Sequence, residues 1–169
     1  MTSESTSMPR RDFLGAAWAG LGLLAALGTG YVGLRYLTSQ TAAGEFGSVI
    51  AAGVIEDFPP GTVTAFPNGK FYLARGADGG FLALYQKCTH LACVVLWHET
   101  DGQFYCPCHG SRFLADGTVL NRPAFRALTR FPVTFDGDSV SVDTGTPIEQ
   151  DTVAAEDIAY PAGASESAS

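Results

Sequence analysis

All four cysteines and all three histidines of this chain fall between Cys88 and His109. Residues 88–93 read C-T-H-L-A-C; after twelve intervening residues, Cys106 to Phe113 reads C-P-C-H-G-S-R-F. Cys88 and His90 are two apart, Cys106 and His109 are three apart, and Cys93 and Cys108 stand beside those pairs. Thiolate and neutral imidazole are ligands for transition metals, and two of each could hold a structural zinc. Zinc sites usually pair cysteine with cysteine and histidine with histidine, whereas both pairs here are mixed. Two separate disulfides would use the cysteines and leave the histidines without a role.

The C-x-H and C-x-x-H pairs, each with a further cysteine and the second followed by Gly110 and Ser111, resemble the Rieske iron–sulfur proteins of the disulfide-containing type. The resemblance implies one [2Fe-2S] cluster per chain, with Cys88 and Cys106 on one iron and His90 and His109 on the other through Nδ1. Replacing two thiolates by neutral imidazoles raises the potential of such a centre. It also implies a disulfide between Cys93 and Cys108, and a hydrogen bond from Ser111 to the cluster. The family's usual tyrosine is Phe113 here, which has no hydroxyl to donate; a potential below that of the ubiquinol-oxidising type follows. A Rieske oxygenase component shares the four ligands but normally lacks the second cysteine pair.

Ligands on loops need a frame. Short strands bounded by turn residues are expected at Val49 to Ile55, Gly61 to Phe66, Lys70 to Ala74, Phe81 to Lys87, Val94 to Trp97 and Gln103 to Tyr105. Asn68-Gly69 is expected to turn the hairpin between the second and third. The fourth reads as alternating and delivers Cys88, and the sixth delivers Cys106. Segments 131–135 and 139–142 flank Asp136-Gly137-Asp138 as a closing hairpin. The expected class is mostly β: an antiparallel Rieske-type head with a cluster-binding subdomain. Residues 117–128 resemble the family's proline-containing covering loop, with Pro123, Ala124 and Leu128 matching. By the same resemblance Leu91 belongs to an apolar docking rim. His98, in an expected turn with Glu99 and Asp101, takes no role.

At the N-terminus, residues 1–12 form a polar segment whose Arg10 opens the run Arg10-Arg11-Asp12-Phe13-Leu14, which looks like a twin-arginine export signal. From Phe13 to Leu34 there are 22 residues without a charge, and crossing a bilayer takes about 20 helical residues. Residues 13–37 are therefore expected to be a transmembrane anchor with a cytoplasmic N-terminus, and 38–47 a flexible hinge linker. The head spans 48–146. Residues 147–169, acidic and Ala/Ser-rich, show no strand pattern and are expected to be disordered or to lie on a partner. A net charge of −7 argues against a nucleic-acid partner, which would need a basic patch.

The resemblance implies an electron-transfer subunit, not catalytic alone, of a quinol oxidoreductase of the cytochrome bc kind. His90 and His109 would contact quinol and accept its proton, menaquinol being favoured over ubiquinol. The expected partners are a cytochrome b-like membrane subunit and a c-type cytochrome or similar acceptor. The head would face outward from a bacterial cytoplasmic membrane on a single-pass anchor. Two other readings are the small Rieske subunit of an exported molybdenum oxidase, and a zinc-stabilised binding module without redox chemistry.

Overall fold

The computed structural model describes residues 9–37 and 44–162. The chain divides into an N-terminal unit ending at Gln40 and a C-terminal unit beginning at Thr41. The first is a single helix, α1 (Arg10–Leu37), with no buried residue. It is long and apolar enough to cross a membrane, running roughly 42 Å at ~1.5 Å per residue. Asp12 in its first turn and Arg35 in its last suit the helix dipole. The helix starts three residues before the uncharged run. Pro9 closes the first turn by accepting from the N–H groups of Asp12 and Phe13, so both arginines are helical.

The second unit is antiparallel β in three sheets. β1 (Val49–Val54) pairs with β11 (Ser139–Asp143), which pairs with β10 (Val133–Asp136). The middle sheet runs β2 (Val63–Phe66), β3 (Phe71–Arg75), β4 (Phe81–Tyr85), β9 (Arg130–Phe131). The third is β5 (Leu96–His98), β6 (Gln103–Tyr105), β7 (Arg112–Leu114), β8 (Val119–Asn121). Pro132, which cannot donate to a ladder, separates β9 from β10.

β3 and β4 position everything else. Side chains alternate across a strand, and here both faces are covered. Phe71, Leu73, Phe81 and Ala83 enter one core with Ile50, Phe58, Phe131, Val140 and Val142. Tyr72, Leu82 and Leu84 enter the other with Phe104, Phe113, Ala124, Cys88 and Cys106. The fourth expected strand is therefore apolar on both sides rather than half exposed. The first core is dominated by rings: Phe66 stacks on Phe71 at 4.7 Å, and Phe81 meets Phe58 and Phe135 edge-on. Each such pair adds about 0.5–1.5 kcal/mol beyond its buried area.

Three expectations are corrected. The β2–β3 hairpin turns over four residues, 67–70, and Lys70, not Asn68 or Gly69, takes the positive φ of 53°. Gly69 is there because a Cβ would come within 2.5 Å of the Phe71 ring. In the expected hinge, residues 38–43 lie outside the described residues, and Gly44 to Gly47 belong to the head. The Phe46 ring stacks on Tyr85 at 5.5 Å, and Gly47 N–H donates to Thr144 Oγ1 at 2.9 Å. Finally, the chain from Pro147 to Tyr160 is not a free tail. It lies against the head as a strap, bridging Ile148 to Arg130 and Ala159 to Phe81. Its order comes from these long-range pairings, which no local pattern in residues 147–160 announces; residues 163–169 lie outside the described residues.

Candidate metal centre

Two loops leave the middle and third sheets toward one another. Cys88 follows β4, where Lys87 bridges to Val94 and Val95 N–H donates to the Gln86 carbonyl at 2.9 Å. Within this loop Cys88 N–H donates to the Cys93 carbonyl at 2.8 Å, and Ala92 N–H to the Cys88 carbonyl at 3.0 Å. Cys106 follows β6. There Cys106 N–H donates to the Ser111 carbonyl at 2.8 Å, and Gly110 N–H to the Cys106 carbonyl at 3.0 Å. Ala92 and Gly110 both take positive φ, 64° and 77°. A disulfide between Cys93 and Cys108 joins the loops, its Cα atoms 6.6 Å apart.

The four expected ligands converge at this junction. Cys88 and Cys106 are buried free thiols. The rings of His90 and His109 stand nearly perpendicular, with centroids 4.8 Å apart. His90 is half-buried and His109 exposed. The Nδ1 of His90 is enclosed and has no hydrogen-bond partner among the described residues. A buried polar atom without a partner is rare in a folded protein, and a nitrogen reserved for a metal accounts for it. Burial pushes the Cys88 thiol above the usual cysteine range; the N–H of His90 and the hydroxyl of Ser111 oppose that, and Cys106 adds to it. Such thiols ionise when a metal takes the proton's place. The sulfurs of Cys93, Cys106 and Cys108 also lie close together, but two of them are spent in the disulfide, so this proximity places the disulfide against Cys106. The donor set of two free thiols and two imidazoles fits a [2Fe-2S] cluster.

Around this set, Ser111 is fully buried, and its oxygen accepts from Ala124 N–H at 3.0 Å. Phe113 is fully buried on β7 opposite Phe104. Ala124 is fully buried, while Pro123 is exposed and follows a cis peptide bond. Thr89, which the sequence reading passed over, donates its hydroxyl to the Arg126 carbonyl at 2.7 Å. Leu91 is 63% and Phe125 73% exposed. A cavity of about 370 Å³ opens beside the first loop, lined by Thr89, His90, Leu91, Arg126 and Glu149 among others. His98 lies apart, its ring edge-on to Tyr105 on the third sheet.

The sequence profile of the Rieske [2Fe-2S] domain matches residues 48–132. The cytochrome b6-f complex iron-sulfur subunit of Parasynechococcus marenigrum is 31% identical over 160 residues, covering 86% of this chain and 90% of that protein. The same subunit from a Synechococcus strain is 33% identical over 153 residues, covering 81% and 88%. Among solved structures, a plasma membrane Rieske protein of Synechocystis is 32% identical. It covers 55% of this chain and 97% of that one, with a TM-score of 0.46.

Proposed function

The chain belongs to the Rieske [2Fe-2S] family, and from that premise we propose that it is the electron-transfer subunit of a membrane quinol oxidoreductase of the cytochrome bc type. The cluster, when bound, supplies a one-electron acceptor and donor. Cys88 and Cys106 hold it from the buried side, and His90 and His109 hold it through Nδ1. The observation that carries the reading is the pairing of an enclosed, unpartnered Nδ1 on His90 with an exposed ring on His109. One imidazole edge faces inward, and the pair stands where a substrate hydroxyl can reach it.

His109, and His90 where it borders the cavity, accept the quinol's hydrogen bond and then its proton at Nε2. Leu91 offers an apolar rim for the docking pocket of a cytochrome b-like subunit. The head then passes its electron to a c-type cytochrome or similar acceptor. Ser111 can donate its hydroxyl hydrogen inward while its oxygen accepts from Ala124. Phe113 offers no donor, so the potential lies below that of the ubiquinol-oxidising type, and menaquinol is the favoured substrate.

α1 is the single-pass anchor, with Arg10 and Arg11 serving as the twin-arginine signal. The head lies on the outer face of a bacterial cytoplasmic membrane, where the Cys93–Cys108 disulfide persists. The domains are then 1–12, 13–37, a head that includes Gly44 to Gly47, and the strap from Pro147 to Tyr160.

The test is a redox titration followed by electron paramagnetic resonance on detergent-extracted protein and on native membranes. A rhombic signal whose potential falls as pH rises, and which shifts on adding a quinol-site inhibitor, is the expected result. A signal indifferent to the inhibitor, on a mature chain lacking α1, would favour the molybdenum-oxidase subunit. Zinc with no signal would end the redox reading.

A further inference from the structure

Between Arg122 and Thr129 the chain crosses the ligand loops with no strand or helix of its own. It is held from two sides. On the inner side are the two bonds already described, Ala124 N–H to Ser111 and Thr89 to the Arg126 carbonyl. On the outer side is the strap. Ala127 N–H donates to the Asp151 carbonyl at 3.1 Å, the Gln150 amide donates to the Leu128 carbonyl at 3.1 Å, and Arg126 meets the Glu149 carboxylate at 2.8 Å. The single peptide group joining Arg126 to Ala127 thus has its oxygen on a ligand loop and its N–H on the strap.

The strap keeps its own place by other contacts. Ile148 and Arg130 exchange two backbone hydrogen bonds, at 2.8 and 3.0 Å, and Arg130 also reaches Gln150 and Asp157. At the far end Ala159 and Phe81 exchange two more, and the Tyr160 hydroxyl donates to Asp78 at 2.6 Å. Gly80 admits this packing: a Cβ there would come within 2.3 Å of Ile158.

We propose that the strap is a positioning element for the cluster-covering segment, with Glu149, Gln150 and the Asp151 carbonyl holding residues 124–128 down on the two ligand loops. The inference rests on the Rieske reading for what lies beneath the segment. Glu149 is mostly exposed, and exposed ion pairs contribute little. The Gln150 amide and the Asp151 carbonyl therefore do most of the holding. Solvent exposure and hydrogen bonds around such a centre tune its potential, so a segment held less closely alters the site without touching a ligand.

The experiment compares the full-length protein in detergent with the double variant Glu149→Ala/Gln150→Ala and with Val142→Ala, which weakens the other core alone. Amide hydrogen exchange at Ala127, tryptic cleavage after Arg126, the paramagnetic line shape and the midpoint potential are read together. The double variant should exchange Ala127 on the order of tenfold faster, as local opening predicts, with faster cleavage, a changed line shape and a shifted potential. Val142→Ala should move none of these. Wild-type exchange at Ala127 in the double variant would overturn the proposal. So would acceleration matched at the Val142 amide, or a loosened segment with unchanged line shape and potential. A wild-type protein without any cluster signal would instead sink the Rieske reading, while exchange at Ala127 would still decide whether the strap holds the segment.

Discussion

The two ligand loops share one backbone and differ in what they place on it. In each, the leading cysteine donates its N–H to the carbonyl five residues on, and the residue four on donates back and takes a positive φ. On that common frame the histidine comes two residues after Cys88 but three after Cys106. The place His109 occupies in the second loop is held in the first by the exposed Leu91. The place of His90 is held by Cys108, and that of Cys93 by Ser111. Local backbone closure therefore sets the shape of each loop, and the histidine can sit one residue either way on it. The asymmetry leaves one imidazole half-enclosed and one exposed, and it lets a single disulfide run from the end of one loop to the middle of the other.

That comparison can be broken or sharpened by substitution. The largest effect is expected from Cys93→Ser/Cys108→Ser, since the disulfide closes a separation of 15 residues. Chain entropy for such a loop is worth about 3 kcal/mol, seen as a lower denaturation midpoint and faster cluster loss. A loss under about 1 kcal/mol, well short of that estimate, would mean the two backbone closures suffice without the tie. Ser111→Ala leaves the buried Ala124 N–H without its acceptor and should cost about 1–3 kcal/mol, with a lowered potential in the same titration. Gly110→Ala introduces a side chain at φ 77° in otherwise open space; strain alone should cost about 1–2 kcal/mol. Ala92→Gly, at the equivalent place, should act with the opposite sign and gain up to about 1 kcal/mol, less the entropy of a new glycine. Equal signs in thermal melts of the two variants would show that the loops are not equivalent.

The smallest effect concerns acid. Neither loop carries a carboxylate between its leading cysteine and the residue five on, so carboxylate protonation acts elsewhere. The Tyr160 hydroxyl, and then the Gly80 N–H, hold Asp78 below the usual carboxylate range. Its contribution is full above the unfolded value of about 4 and is lost as pH falls through the lower folded value. The far end of the strap should loosen there, visible in the Tyr160 ring resonances, and Asp78→Asn should abolish the change.

The mixed cysteine–histidine pairs stood out in the sequence because metal chemistry dictates residue type and spacing, and the antiparallel class followed from short apolar runs between turn residues. What the loops do with their backbones was not. A positive φ at Ala92 has no signature in a residue that disfavours it, and the closures are bonds between peptide groups that every residue carries. The strap escaped for a related reason: Ile148 and Ala159 become ordered only by pairing with Arg130 and Phe81, far away in the chain. At Asn68-Gly69 the glycine was noticed for the wrong cause, since it serves the approach of a ring and not the turn.

The two covered faces of β3 and β4 also act as a register lock. A slip of one residue turns every side chain of a strand to the opposite face. A slipped β3 would carry the Tyr72 hydroxyl, which now donates to the Val95 carbonyl at 3.0 Å, into a core lined by phenyl rings. It would drive Phe71 and Leu73 into the space beneath the two thiols. A misaligned hairpin is thus penalised on both faces at once, and the spacing of the two cysteine–histidine loops is proofread by two strands that contribute no residue to either of them.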